Sequence, residues 1–411
     1  MTWMAWVARR VALLAAAATL FGCAVRHGDG WLEELRQREA TLPESRMIGA
    51  SDGAFGAEVP AIRSGSVVTG EQADMLSLDI GSDSPIECAL YHDEVESAST
   101  VQTMAEQVFA DLEERYGVAV KRSIVDFDAG LAGPSPYLEL HWQYQTDEPQ
   151  PVFGELEQMI ASREGRSVYC VHHENGYRDS FRRVVSSLIE TIRFAEYDTL
   201  RPYYTQVALL SSAGQRFGYS IVSLTLDDDG DPRVVLYSAR LGRADDGGVT
   251  ARDVTEVEHA SVGGVLHDKM LTDYRDGEVA RSLWLEDLAG AGWRVSGEVD
   301  GGKLLAVFEQ PQLSSWLGDA SYFRGMMTLP ADERTVESHA WMPEIDADQS
   351  VSRTLHLFDR VDGQHYRGSV DVGDWRQQLV LDPQGAPVSS TGTIAGREVS
   401  AERVFVEGAL Y

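Results

Sequence analysis

From Thr205 onward, short runs of alternating apolar and polar residues keep breaking at acidic or amide residues followed by glycine. Asp229-Gly230, Asp300-Gly301, Asp362-Gly363 and Gln384-Gly385 all fall between such runs. Pairs of this kind supply the positive φ angles that close a tight hairpin. A chain cut this often has no room for long helices. It is driven to pair neighbouring strands in antiparallel order. Ten strands are predicted in order: Thr205–Leu210, Gly218–Leu226, Arg233–Ala239, Arg281–Leu285, Trp293–Val299, Lys303–Phe308, Ser352–Asp359, Gln364–Val372, Trp375–Leu381 and Arg397–Val406. Strand twist accumulates across so wide a sheet, so the sheet must curve. Residues 197–411 are therefore expected to form a β-rich domain, a curved antiparallel sheet or half-barrel with a one-sided apolar concavity. Val249–Met270 reads as loop with one short strand at most, and few helical patterns follow Leu200.

Residues 76–196 read differently. Met75–Ile80 and Ile86–Tyr91 alternate as strands, and Ser99-Thr100-Val101-Gln102 has the spacing of a capping box with Ser99 as cap. The helix after it places Val101, Met104, Val108, Phe109 and Leu112 on one face, and Gly117 ends it. Strands are expected over Val118–Phe127, Tyr137–Tyr144 and Val168–His172. A second helix, capped by Asp179 or Ser180, carries Phe181, Val184, Val185, Leu188, Ile189 and Ile192 on one face. The expectation is a small antiparallel-sheet domain with two helices, and for the whole chain an α+β fold class. This strand-helix-strands-helix layout resembles the α/β/α sandwich of PsbP-like proteins. Farther on, Gln378–Val388 is similar to a late hairpin of LolA/LolB-like half-barrels, and Met326-Thr328-Leu329-Pro330 resembles the entry to their strand runs.

The amino-terminal stretch carries an address. Arg9 and Arg10 precede an apolar run from Val11 to Phe21, too short for a hydrocarbon core that needs roughly 17 to 25 residues. It ends in Leu20-Phe21-Gly22-Cys23, which resembles the lipobox of bacterial lipoproteins. The resemblance implies cleavage after residue 22, a signal peptide over residues 1–22, and lipidation of Cys23. Ala24 follows instead of the aspartate that holds such proteins at the inner membrane. The resemblance thus implies an outer-membrane anchor on the periplasmic side, through acyl chains that each add about 0.8 kcal/mol per buried methylene. Residues 23–75, with Pro43, Gly49, Gly53, Gly56, Pro60, Gly65 and Gly70, read as the lipidated cysteine and a flexible tether.

The formal net charge is −30. It argues against nucleic acid, which is bound through basic patches. Of three cysteines, Cys23 is claimed by the lipobox, and Cys88 and Cys170 form an even pair in an exported chain. That is the usual composition of a disulfide. Thiolate and imidazole from Cys88, His92, Cys170, His172 and His173 suit zinc or copper, but the spacing is irregular and strand alternation separates neighbours, so no metal and no cofactor is expected. Asp227-Asp228-Asp229-Gly230-Asp231-Pro232 lacks the glycine and glutamate positions of a calcium loop and reads as a turn. Neither a Gly-x-Ser-x-Gly elbow nor a His-Glu-x-x-His pair occurs, so no catalytic residue is assigned. Trp284, Trp293, Trp316, Trp341 and Trp375, with Tyr322, Phe323, Met326 and Met327, can line an apolar cavity or simply form core. The sequence points to a non-catalytic, lipid-anchored periplasmic protein that binds an envelope partner or apolar ligand. The rival is an envelope hydrolase whose site assembles from distant residues.

Overall fold

A computed structural model describes residues 38–40, 45–51, 53–146, 151–163, 165–195, 201–244, 247–309, 312–394 and 396–411. The leader and Cys23 lie outside the described residues. Two compact units divide the chain: Met1–Thr199 with Leu241–Thr250, and Leu200–Arg240 with Ala251–Tyr411. The α+β assignment is overturned. Twenty-four strands in three antiparallel sheets stand against three α-helices among the described residues, and the fold is β-rich.

The first unit contains, in order, β1 (Ser45–Gly49), β2 (Phe55–Pro60), β3 (Ser64–Val68), β4 (Ala73–Asp79), β5 (Ile86–Tyr91), α1 (Ser97–Tyr116), β6 (Val120–Ala132), β7 (Ser135–Thr146), β8 (Phe153–Arg163), β9 (Arg166–His172), α2 (Arg178–Thr191) and β10 (Arg193–Phe194). Seven strands form one sheet in the order β3-β4-β5-β9-β8-β7-β6, and β1-β2-β10 form a second. Strands β1 to β3 occupy part of the stretch expected as tether. Phe55, Ala57 and Val59 alternate there and pack with Phe181, Val184, Val185 and Leu188 of α2. Their two-residue period is masked in the sequence by the intervening Gly56 and Pro60, which read as loop punctuation.

Helix α1 sits on the sheet face of Leu138, Leu140, Trp142 and Tyr144, with Phe109 edge-on to Trp142 at 5.5 Å. Helix α2 packs on the opposite face, with Met159 and Cys170. Both helices start differently from expectation. Ser99 lies inside α1, whose N-cap is Glu96 without a side-chain cap bond. The N-cap of α2 is Tyr177 at φ 62°, and the Ser180 hydroxyl instead accepts from the Ala40 amide at 2.8 Å. Gly117 does close α1, at φ 66°.

The second unit carries β11 (Tyr204–Ser212), β12 (Gln215–Leu226), β13 (Pro232–Arg243), β14 (Val249–Ala260), β15 (Leu266–Arg275), β16 (Glu278–Asp287), β17 (Trp293–Val299), β18 (Gly302–Phe308), α3 (Trp316–Met326), β19 (Thr335–Ala340), β20 (Val351–Arg360), β21 (Tyr366–Val372), β22 (Trp375–Leu381), β23 (Pro387–Ile394) and β24 (Arg397–Gly408). These fourteen strands make one sheet in which sequence neighbours pair, and β24 returns to pair with β11. Val249–Met270, expected as loop, is the body of β14 and the start of β15. Its buried positions mix apolar Val249, Ala251, Val254, Ala260 and Leu266 with charged Asp253, Glu258 and Lys269. Lys269 Nζ meets Glu258 at 3.0 Å, and Arg252 meets Asp273 at 2.8 Å. Charges that satisfy one another across strands leave no hydropathy period to read.

Helix α3 was not expected. Ser315 caps it, its hydroxyl accepting from the Gly318 amide at 3.1 Å. Leu317 and Ala320 join a core with Tyr204, Leu224 and Val234, while Phe323 and Met326 join another with Leu355, Leu357, Leu379 and Leu381. The helix therefore covers part of one sheet face. Its approach is close at two glycines. A Cβ on Gly264, at φ 82°, would lie 2.1 Å from Gly318 Cα, and one on Gly385, at φ 84°, would lie 2.1 Å from the Ala320 carbonyl oxygen. Only eleven residues long, with Gly318 and Gly325 inside, α3 gives a weak helical signal.

Candidate functional site

Beside α3 the covered face of the fourteen-stranded sheet stays partly open. A concavity of about 240 Å³ is bounded by β11, β12, β13, β14, β23 and β24, with Trp316 at the start of α3 and Glu344 on another side. Strand alternation places its floor. Val234 and Leu236 face the core under α3, so Ser238 and Arg240, at the next even positions of β13, face the same way. Across the sheet, Ser238 pairs with Ser220, Ser220 with Ala208, and Ala208 with Arg403. The floor thus passes from apolar near α3 to polar farther along the strands. Two other hollows differ in kind. One of about 610 Å³ lies on β20 to β23 and has walls from that sheet alone. The other, of about 420 Å³, lies along β1 and β3 of the first unit.

The two arginines of the concavity have different surroundings. Arg403 is neutralised by Asp382 at 2.6 Å. Arg240 has no ion-pair partner within 4 Å among the described residues. Its Nη2 donates to the Ser238 hydroxyl at 3.3 Å, and its buried Nε has no hydrogen-bond partner. Burial and the nearby Arg252 both lower its pKa from the ordinary arginine value. A guanidinium remains charged under such a shift. Gly218 pairs with Arg240 across β12 and β13, where a Cβ would meet the Ala239 carbonyl oxygen at 2.3 Å.

The aromatic residues picked out in the sequence are dispersed. Only Trp316 lines the concavity. Trp293 and Trp341 are buried together in a core with Leu283 and Leu285. Trp375 and Met327 pack against the core that holds Phe323 and Met326. Trp284 is 49% exposed and Tyr322 is 39% exposed. The residues that do shape the concavity, Ser220, Ser238, Arg240 and Arg403, gave no motif. Their one signal is polar residues at the inward positions of otherwise apolar strands.

A second cluster of titratable groups lies in the first unit between β7, β8 and α2. The strand pairs Asp128–Glu139, Asp126–His141 and His141–Glu157 bring it to the α2 face of the sheet. Arg182 Nε donates to Glu139 at 2.5 Å, Arg178 meets Asp126 at 3.0 Å, and His141 Nε2 lies 3.3 Å from Glu157. Glu155 accepts from the Gln143 side chain and the Gly176 amide, both at 3.1 Å. Glu157 is fully buried, and neither of its carboxyl oxygens has a hydrogen-bond partner. Burial pushes the Glu157 pKa well up despite Arg178, and raises that of Glu139 against the pull of Arg182. Burial, then Arg178, lowers His141 to about 4. At neutral pH the imidazole is therefore uncharged.

Cys88 and Cys170, cross-strand partners on β5 and β9, form a buried disulfide with Cα atoms 4.0 Å apart. The histidines weighed with them scatter. His92 faces Asp74 at 3.6 Å, His172 stacks on Phe181 and reaches the Ser84 carbonyl at 3.1 Å, and His173 hydrogen-bonds Tyr144. The acidic run is the β12–β13 turn, where Asp227 accepts from the Asp229 and Asp231 amides at 3.0 and 2.9 Å.

No family model and no curated protein matches the sequence. Remote structural likeness exists. A β-barrel-like domain of unknown function, DUF1849, from Brucella abortus superposes with a TM-score of 0.41 at 12% identity, over 51% of this chain and 98% of that one. Cyanobacterial PsbP from Synechocystis gives 0.25 at 9%, over 42% and 100%. A DUF1089 protein from Pseudomonas aeruginosa gives 0.22 at 16%, over 48% and 95%. The neighbours are thus distant β-barrel-like and PsbP-like domains, too remote to carry function across.

Proposed function

We propose that this chain is a lipid-anchored protein of the bacterial outer membrane, facing the periplasm through lipidated Cys23, that binds an envelope partner or apolar ligand and catalyses nothing. The observation that carries the binding half is the concavity walled by the fourteen-stranded sheet and α3. Its described lining includes Trp316, Val222, Leu236 and Val254, which offer an apolar body a surface. It includes no histidine, cysteine or lysine to serve as base or nucleophile. What supports the envelope half is Leu20-Phe21-Gly22-Cys23, together with a disulfide of the sort that persists in an oxidising compartment. The rival hydrolase reading has one foothold, the Glu139, His141 and Glu157 cluster. None of the three hollows named above is lined by those residues.

Two measurements test the proposal. Labelled palmitate should enter the wild-type chain and not Cys23→Ala; equal labelling removes the anchor. An uncharged fluorescent apolar probe should bind the full chain saturably at one per molecule. Absence of saturable binding removes the carrier reading.

A further inference from the structure

We infer that the concavity of the second unit takes an oxyanion, a carboxylate or phosphate, at Arg240, with the uncharged remainder of the ligand lying toward Trp316. This rests on the reading of that concavity as a binding site and names the chemistry of its occupant.

The first ground is a guanidinium without an ion pair. Among the paired cations of the second unit, Lys269 meets Glu256 and Glu258, Arg252 meets Asp273, Arg353 meets Asp319, and Arg403 meets Asp382. Arg240 has only a neutral hydroxyl at 3.3 Å. A buried N–H without an acceptor is destabilising, and more so on a charged group. Glu344, Asp273 and Glu256 act on Arg240 only through space. Glu256 is already engaged by Lys269.

The second ground is access. Arg240 lines the concavity, so an incoming oxygen can approach its guanidinium without displacing a carboxylate partner. The planar guanidinium presents its donors in a fork that matches two oxygens of a carboxylate or phosphate.

The third ground is the gradient of the walls. Polar Ser238 and Ser220 flank the Arg240 end, and Val222, Leu236 and Trp316 the other. Arg403 is three strands from Arg240, a spacing of roughly 14 Å, and is held by Asp382. One small anion therefore engages Arg240 alone, and a longer ligand has room to extend along the floor.

The test is equilibrium binding to the purified full chain. Dodecyl phosphate, uncharged dodecyl maltoside and inorganic phosphate are compared, each amphiphile below its micelle concentration. Dodecyl phosphate is expected to bind about tenfold or more tightly than dodecyl maltoside. Arg240→Ala should remove that advantage, while Arg240→Lys keeps part of it. Arg240→Ala should melt no lower than wild type, because it deletes an unpaired charge. Inorganic phosphate competing at the dodecyl phosphate concentration would support the oxyanion site and assign it to a free anion; competition only at far higher concentration supports a headgroup. Equal affinity for the charged and uncharged amphiphiles, or unchanged dodecyl phosphate affinity in Arg240→Ala, overturns the oxyanion inference and leaves the binding reading standing. Absence of binding by either amphiphile, with inorganic phosphate also inert, overturns both.

Discussion

Both units place charge beneath a helix-covered sheet face, and they treat it in opposite ways. In the first unit, Arg178 and Arg182 at the start of α2 reach down to Asp126 and Glu139, while burial below them keeps His141 uncharged and pushes the Glu157 carboxyl well up. Both arginines are ion-paired there, although Glu157 keeps both carboxyl oxygens without a hydrogen bond. In the second unit, α3 covers its sheet face incompletely, and Arg240, which lines the concavity, has no carboxylate within ion-pair distance among the described residues and a buried Nε without a partner. Ion pairs fix how helix and sheet sit, and a cation without one that lines a hollow is where a ligand gains most from binding, because it supplies what the protein lacks.

Loss of the disulfide should give the largest effect, and in the first unit only. The loop closed by Cys88 and Cys170 spans 82 residues. Replacing both by serine should cost that unit about 2–5 kcal/mol, measured by denaturant unfolding with probes in each unit. An equal loss in the second unit would contradict the independence that the comparison assumes.

Next in size is a matched pair of arginine deletions. Arg182→Ala strips Glu139 of its closest partner. Breaking a buried ion pair costs about 3–5 kcal/mol, and the part-exposed Arg182 reduces this to roughly 1–3 kcal/mol. Arg240→Ala should be neutral or slightly stabilising. If the two variants melt alike, the contrast between the clusters fails.

The first unit should also show a distinctive acid response. His141, His172 and His173 all have pKa values lowered by burial to about 4. The folded state then binds fewer protons than the unfolded chain between the ordinary imidazole value and about 4. Their stabilisation is complete above about pH 6.5 and is lost as pH falls through about 4, at roughly 1.4 kcal/mol per pH unit per histidine. Glu157 and Glu139, with raised values, act in the opposite sense and weaken the fold as pH rises above their unfolded value. Imidazole chemical shifts separate the two. All three rings should stay neutral from pH 8 to pH 5, and a midpoint near 6.5 for His141 would contradict its burial.

The legibility of this chain followed the same division. Strands with apolar inward faces, such as Trp375–Leu381 and Trp293–Val299, were visible because alternation and Gly turns agree. Strands β14 and β15 were not, since charged Lys269 with Glu256 and Glu258, and Arg252 with Asp273, interrupt the apolar positions. Helix α3 was hidden by brevity and by the glycines that let it approach the sheet. The amphipathic faces of α1 and α2 were plain, but a helical α+β class overstated them against the strands before Asp79. The cysteine pair was legible from count and compartment alone. The concavity was anticipated as apolar, and its polar end was missed because single serines and arginines in strands carry no spacing signature.

Hydrogen exchange of the full chain with and without dodecyl phosphate tests the central claim most directly. The account predicts slowed exchange in peptides covering Gln206–Ala208, Ser220–Val222, Leu236–Arg240 and Val388–Ser390, with no change over Glu139–His141 and Glu155–Glu157. Protection confined to the Glu139, His141 and Glu157 strands, or absent from the second unit, would contradict it.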